Sequence, residues 1–93
     1  MIRSFKGRNT ESIFSGERVR GLPGDIQQRA RRKLRMLDAA INLEDLRTPP
    51  SNRLEKLKGG RIGQYSIRIN NQWRNYFSWK DGGATGVEII DYH

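Results

Sequence analysis

The sequence has no cysteine and only one histidine among its 93 residues. Without cysteine, disulfides, thiolate zinc sites and cysteine nucleophiles are all excluded. A lone imidazole also argues against a histidine-based metal site, and we expect neither a metal nor an organic cofactor. Any catalysis must therefore rely on carboxylates, cations, hydroxyls and the single histidine, His93.

Long apolar runs are missing as well. The first residues, Met1-Ile2-Arg3-Ser4-Phe5-Lys6, lack the apolar stretch of a secretory signal peptide. No segment approaches the roughly 20 apolar residues of a membrane-spanning helix. We therefore expect a cytoplasmic protein with no membrane partner.

Acidic residues are scarce relative to basic ones. Lysine and arginine total 18 against 10 acidic residues, which gives a formal net charge of +8, while the hydrophobic content of 34% still allows a small core. Such an excess of positive charge repels itself and favours polyanionic partners, either nucleic acid or an acidic protein. The length predicts one domain over residues 1–93.

The first half of the chain has a helical period. Apolar residues recur at spacings of three and four from about Asp25 to near Asn42, as in an amphipathic helix, at Ile26, Ala30, Leu34, Leu37 and Ile41. A short strand over residues 1–6 and a brief helix over residues 10–14 precede this helix. A short turn from Leu43 to Arg47 follows it.

The second half has a period of two. Apolar and polar residues alternate in two segments joined by Asn71-Gln72, a turn that suits a hairpin. Further strands are expected near residues 53–57 and 86–93. The sequence thus predicts an α+β fold with a short N-terminal strand and two helices packed on an antiparallel sheet, whose other face is open.

Two arginines mark the predicted open face. Period two places on that face Gln64, Ser66, Arg68, Arg74, Tyr76 and Ser78. Arg68 and Arg74 flank the hairpin turn and could together grip one phosphate or two successive ones. Alternatively, both are solvated on the outside of an ordinary sheet, and spacing alone does not decide between these possibilities.

Other charges surround this face. Lys56, Lys58 and Arg61 lie at the edge of a glycine-rich loop whose backbone could approach a phosphate, although it lacks the features of a nucleotide-binding P-loop. Glu55 precedes Lys58 by three residues and could form a plain surface ion pair. The long helix is expected to lie apart from this face and carries a basic surface suited to a phosphate backbone: Arg29, Arg31, Arg32, Lys33 and Arg35.

A set of motifs resembles the HigB branch of the RelE superfamily of toxins. The motifs are Leu57-Lys58-Gly59, the segment 65–70, Asn71-Gln72-Trp73-Arg74 with Phe77, and Asp91-Tyr92-His93. The resemblance covers essentially the whole chain and implies a RelE-like fold. It also implies a toxin that cleaves messenger RNA in the ribosomal A site and is neutralised by an antitoxin, expected to be of the helix-turn-helix HigA type.

The resemblance assigns candidate site residues one by one: Lys58, Arg74, Asp91, Tyr92 and His93. Some members of the family carry a second histidine where this chain has Glu55. RNA cleavage without a metal needs a base for the 2′-hydroxyl and an acid for the leaving oxygen, and one imidazole cannot serve as both in one step. Chemistry based on two histidines is therefore excluded.

We expect His93 to be the acid, with Glu55 or a deprotonated Lys58 as the base. Arg74, with Arg68 and a protonated Lys58, would stabilise charge on the phosphate. The remaining roles concern positioning. Tyr92 would act as a stacking platform or an orienting hydroxyl, and Asp91 as a partner that fixes the imidazole or a loop.

The sequence thus favours a ribosome-dependent, metal-independent endoribonuclease. RNA-binding roles are expected for Arg68, Asp91, Lys56, Arg61, Arg29, Arg32 and Lys33. Two other functions stay open, namely a non-catalytic nucleic-acid-binding module of the same fold and a ribonuclease that cuts free RNA without the ribosome.

Overall fold

Four antiparallel strands form one sheet with two helices on one face, in a computed structural model that describes residues 1–92. The strands lie in the order of the sequence: β1 (Glu55–Lys56), β2 (Gln64–Arg68), β3 (Trp73–Lys80) and β4 (Gly83–Asp91). The helices are α1 (Arg8–Phe14) and α2 (Gly24–Ala39), and short 3₁₀ turns cover Leu43–Arg47, Pro50–Asn52 and Gly59–Arg61. The predicted α+β fold is confirmed.

Helix α2 buries the predicted apolar stripe except at its last member. Ile26, Ala30, Leu34 and Leu37 are buried in the core, whereas Ile41 is 75% exposed. The expectation for Ile41 was wrong because the helix ends at Ala39 and the chain becomes extended. The backbone N–H groups of residues 41 and 42 then donate to the Asp45 carboxylate, at 3.0 Å each, instead of to helical carbonyls.

The predicted hairpin joins β2 and β3. The side-chain oxygen of Asn70 accepts hydrogen bonds from the backbone N–H groups of Gln72 and Trp73, at 2.9 and 2.8 Å, which holds the turn closed. The helix-facing side of these strands contributes Ile67 and Phe77, both fully buried, to the core.

Strand β4 starts at Gly83, three residues before the predicted Gly86. The register shifts between Tyr76 and Ser78, where Gly86 adopts a φ of 60° that a β-bulge requires and glycine tolerates. Beyond the bulge, Val87 lies in the core and Glu88 pairs with Tyr76.

The two edges of the sheet are shorter than predicted. The N-terminal segment meets β4 through isolated parallel bridges, Ile2 to Ala84 and Phe5 to Val87, rather than through a continuous strand. Strand β1 has two residues rather than five, because Arg53 before it takes a left-handed conformation (φ 44°). Within residues 1–92, no helix is long and apolar enough to cross a membrane.

Candidate functional site

Arg74 is the buried centre of the sheet face that points away from the helices. Its side chain is only 4% exposed. Nε donates to Ser66 Oγ at 2.8 Å, and Nη2 donates to the Arg53 carbonyl at 2.5 Å. Nη1 lies 3.7 Å from Oε1 of Glu55. These partners hold the arginine in one orientation, as its rigid planar fork allows.

The sequence predicts that this face of the sheet is open, but the part of it around Arg74 is covered. Ser66 and Arg74 are both buried, because the segment at Arg53 and the ring of Tyr92 pack against the arginine. The alternative of a solvated arginine is thus wrong for Arg74. The ion pair of Glu55 is with this arginine and not with Lys58, the partner that sequence proximity suggested.

Arg68 stands beside Arg74, as the hairpin predicted. The two residues are direct partners across β2 and β3, and Nη2 of Arg68 donates to the side-chain oxygen of Asn71. Like charges on adjacent strands repel each other, and an anion between them relieves the repulsion. The pair is suited to a phosphate.

Tyr92 completes one wall of a cleft at this end of the sheet. Its ring centroid lies 5.2 Å from Cζ of Arg74, within the range of a cation–π contact. The cleft has a volume of about 350 Å³ and is lined by Arg53, Glu55, Arg68, Asn70, Asn71, Arg74 and Tyr92. We call it the sheet cleft. It combines three guanidinium groups with one carboxylate and one phenol, which suits an anionic ligand.

Three of the residues that line the sheet cleft were not predicted as site residues. The sequence predicts Asn71 in the hairpin turn, Asn70 in the segment before it, and Arg53 at the start of a strand. The asparagines do carry a sequence signal, since side chains next to a hairpin that bears two arginines must lie near them. Arg53 carries none, because its position depends on the left-handed backbone.

Asp91 lies at the same end of the sheet as Tyr92. Asp91 pairs with Trp73 in the register, and its Oδ2 accepts a hydrogen bond of 3.0 Å from Nε2 of Gln72. His93 lies outside the described residues and follows Tyr92 directly in the sequence. The roles of Asp91 and His93 stay predictions.

The basic residues near the glycine-rich loop do not line the sheet cleft. Lys56 pairs with Tyr65, so it shares the helix-side face of β1 and not the face of Glu55. Lys58 is exposed and precedes the 3₁₀ turn Gly59–Arg61. Arg61 lies over the ring of Tyr76 at 4.8 Å. The structure therefore gives these three cations separate surroundings.

A second cleft, the helix cleft, lies between α2 and the end of β2. Its volume is about 310 Å³, and it is lined by Arg29, Arg32, Lys33, Met36, Ser51, Arg68, Ile69 and Asn70. Arg68 and Asn70 belong to both clefts. The expectation that the basic helix lies apart from the sheet site was therefore wrong.

The basic residues of α2 differ in their contacts. Arg31 is structural, because its Nε donates to the Ile13 carbonyl at 2.8 Å and so ties α2 to α1. Lys33 Nζ donates to Oδ1 of the buried Asn52 at 2.5 Å. Burial, and then the neighbouring charges of Arg29 and Arg32, lower the pKa of Lys33.

No three carboxylate or imidazole side chains within residues 1–92 cluster closely enough to hold a metal ion. The ligand chemistry of the sheet cleft is instead that of arginine and amide groups, which bind anions.

Sequence comparison identifies relatives along the full chain. A family model described as the RelE-like toxin of the type II toxin–antitoxin system HigB matches residues 3–93. The protein named toxin HigB-1 from Vibrio cholerae is 44% identical over all of this chain and 98% of its own. The protein named endoribonuclease HigB from Proteus vulgaris is 31% identical, with both chains fully covered.

Solved structures show the same fold at lower sequence identity. The YoeB–YefM complex from Staphylococcus aureus contains a chain that is 20% identical, with a TM-score of 0.60 over 100% of this chain and 98% of that one. The YoeB dimer from the same organism gives 18% identity and a TM-score of 0.59 over 99% and 97% of the two chains.

Proposed function

Because the chain belongs to the HigB-like family of RelE-like type II toxins, we propose that it is a ribosome-dependent endoribonuclease. In this proposal it cleaves messenger RNA in the ribosomal A site and so inhibits translation. The observation that carries the proposal is the sheet cleft, where the buried Arg74 lies beside the carboxylate of Glu55 and the charge of Arg68. The name endoribonuclease, given to the relative from Proteus vulgaris, supports the same reaction.

Glu55 is the proposed general base. Its side chain is 44% exposed and lines the sheet cleft, so a 2′-hydroxyl can approach it. A carboxylate is ionised at neutral pH and can accept a proton. Lys58 is exposed and does not line the sheet cleft. We assign Lys58 the role of a cation.

The proposed reaction needs no metal. Glu55 takes the proton of the 2′-hydroxyl, the 2′-oxygen bonds to phosphorus, and the bond from phosphorus to the 5′-oxygen breaks. His93 gives a proton to that leaving oxygen. The products are a 2′,3′-cyclic phosphate and a 5′-hydroxyl, with one proton taken up by Glu55 and one given up by His93.

The remaining residues of the site stabilise and orient. Arg74 and Arg68 face the charge that develops on the phosphate oxygens, where one donor typically contributes about 3–4 kcal/mol to the barrier. Tyr92 offers an aromatic face for a base or a hydroxyl that orients the phosphate. Asp91 orients the C-terminal residues, including His93.

In this proposal the ribosome holds the RNA strand in position for cleavage, which the sheet cleft alone does not do. The sheet cleft is a surface cleft, and its lining within residues 1–92 does not enclose a flexible RNA strand in the geometry of in-line attack. Ribosomal RNA around the A site would hold the message in place, and the net charge of +8 favours association with such a polyanion. Cleavage would require translation because ribosomal RNA positions the message while the protein supplies the reacting groups.

The proposed protein partner is an antitoxin. The structural neighbour from Staphylococcus aureus is described as a YoeB–YefM complex. For this chain we propose an antitoxin of the helix-turn-helix HigA type that covers basic surface. The proposed reaction on ribosomes places the protein in the cytoplasm.

A cell-free translation reaction with mapped message ends tests the function. The proposal predicts new ends within translated codons, absent from the same message without ribosomes and absent with Glu55→Gln. Cuts in free RNA at the same rate would instead indicate a ribosome-independent ribonuclease. RNA binding without any new ends would indicate a non-catalytic module. Either result contradicts the proposal.

A further inference from the structure

The helix cleft is lined by cations and by apolar groups, with no acidic side chain among its lining residues. Arg29, Arg32, Lys33 and Arg68 supply four positive charges, while Met36 and Ile69 supply apolar surface. A ligand that combines an anion with a flat, weakly polar body fits this lining. The volume of about 310 Å³ lies at the small end of ligand sites, the size of a single nucleotide unit.

The charges in this cleft are not compensated by the protein. Arg29 and Arg32 are exposed, three residues apart on one helix face, and neither forms an ion pair with any residue in 1–92. Lys33 is fixed differently, since Asn52 anchors its ammonium group at the cleft wall. Like charges at this helical spacing destabilise each other, so an anion between the arginines stabilises the helix.

Arg68 connects this cleft to the sheet cleft. Its side chain lines both, and so does Asn70, so one extended polyanion can pass from one cleft into the other over these two residues. A nucleic acid strand has evenly spaced phosphates and bases that pack on apolar side chains. An acidic peptide would match the charges, but it offers a flat group to Met36 only where it contains an aromatic residue, whereas every nucleotide pairs a phosphate with a flat base.

We propose that the helix cleft binds the RNA nucleotide adjacent to the one that is cleaved, with its phosphate between Arg29 and Arg32 and its base or sugar against Met36. Arg68 contacts the strand where it crosses between the clefts. The inference rests on the proposed function, because it takes RNA as the substrate. It adds a subsite that sets the register of the strand.

Binding of short RNA to the isolated protein tests this subsite. The probes are oligonucleotides of two to six residues that are fully 2′-O-methylated, so that they bind but cannot be cleaved. We compare the parent with Arg29→Gln/Arg32→Gln. The matched control is Arg20→Gln/Lys80→Gln, which removes the same charge from exposed residues outside both clefts.

In the parent, affinity should increase from the dinucleotide to the longer probes. The Arg29→Gln/Arg32→Gln variant, called the cleft variant, should lose this increase, while the control variant keeps most of it. The salt dependence of binding should fall by about 0.7 in log–log slope for each phosphate contact removed. A parent that binds all lengths equally overturns the proposal. Equal losses in the two variants overturn it too, since charge alone would then explain binding.

A neutral methylphosphonate placed at each linkage in turn locates the contact. At one linkage it should weaken parent binding by about five- to tenfold and the cleft variant by less than about twofold. Absence of such a linkage contradicts the subsite. If the cleft variant binds RNA normally but fails to bind an acidic antitoxin, the cleft is a protein-docking site and the proposal is wrong.

This readout separates the subsite from the proposed function because it requires no cleavage. Suppose that the methylphosphonate effect at one linkage depends on Arg29 and Arg32, but the protein cleaves no message on ribosomes. This result would support the subsite and contradict the proposed function. Cleavage on ribosomes without any coupling would contradict the subsite alone.

Discussion

The Nη1 atom of Arg74 lies 3.7 Å from Oε1 of Glu55, and the two side chains differ sharply in exposure, at 4% and 44%. The arginine is locked by Ser66 and the Arg53 carbonyl, so it can present charge to a ligand without reorganising. The carboxylate faces the cleft. One fixed cation and one accessible carboxylate therefore meet at a single place on the sheet.

Glu55→Gln tests the carboxylate of this pair. The amide keeps the size of the side chain but cannot accept the 2′-hydroxyl proton, so cleavage on ribosomes should slow by about 10²- to 10⁴-fold. Single-turnover cleavage of a message on programmed ribosomes compares the rates of the variant and the parent.

Glu88→Gln is the matched control. Glu88 is a carboxylate on the same sheet face that pairs with Lys6 and Arg61 and does not line the sheet cleft. The Glu88→Gln variant should cleave the message on ribosomes at close to the parent rate. Equal losses in the two variants would mean that Glu55 acts only through surface charge.

Removal of His93 tests the proposed acid. Deleting this residue should slow single-turnover cleavage by about 10²- to 10⁴-fold and abolish growth inhibition. Ribosome binding and thermal stability should be retained, since the deletion leaves the core residue Val87 and the neighbouring Ile89, which packs against the core, untouched. The check is single-turnover cleavage beside a ribosome-binding measurement, and a truncated protein that cleaves at the parent rate would show that the acid lies elsewhere.

Lys33 should make stability depend on pH in the alkaline range. Its lowered pKa means that the folded state releases this proton before the unfolded state does. Between the two pKa values the unfolded chain binds more protons, so the free energy of unfolding gains a contribution that rises with pH. At pH values below the pKa of Lys33 in the folded state, the charged side chain lowers the free energy of unfolding by its full amount.

Urea unfolding of the parent and of Lys33→Met measures this effect. The stability of the parent relative to the variant should rise as pH increases through the folded pKa of Lys33. In an Arg29→Gln/Arg32→Gln background the rise should be smaller, because both arginine charges that lower the pKa are gone. A relative stability that stays flat or falls with pH would contradict the direction of the shift.

Asn75 should be replaceable with a gain in stability. Its amide is fully buried, and neither Nδ2 nor Oδ1 has a hydrogen-bond partner within residues 1–92. Asn75→Val removes two unsatisfied polar atoms and places a β-branched residue in strand β3, which should raise the free energy of unfolding by about 1–2 kcal/mol.

Asn52→Val is the comparison for this prediction. Asn52 is equally buried, but its amide binds Lys33 and the Leu46 carbonyl, so the same substitution should destabilise the protein. Urea denaturation of both variants gives the two signs. Destabilisation by Asn75→Val would show that the Asn75 amide does have a partner in solution.

The sequence was sufficient for the elements whose signals are local. The period of α2 and the alternation of β2 and β3 predict the fold and place Arg68 beside Arg74. The end of α2 could not be predicted, because Asp45 competes for the backbone N–H groups that would have extended the helix to Ile41.

The candidate site depended more on tertiary contacts. Arg74 was predicted on an exposed face, yet Arg53 and Tyr92, from distant parts of the chain, bury it. No periodicity in one segment reveals such contacts. The link between the two clefts through Arg68 likewise arises from packing of α2 beside the end of β2.

Cleavage of a defined message on programmed ribosomes, with and without a single 2′-deoxy substitution at the cleaved nucleotide, tests the proposed reaction most directly. The parent protein should cut the all-ribose message only when ribosomes are present, and the upstream fragment should carry a 2′,3′-cyclic phosphate. The deoxy message should stay intact. Equal cleavage of the two messages, or equal cleavage without ribosomes, would contradict a ribosome-dependent attack by the 2′-oxygen.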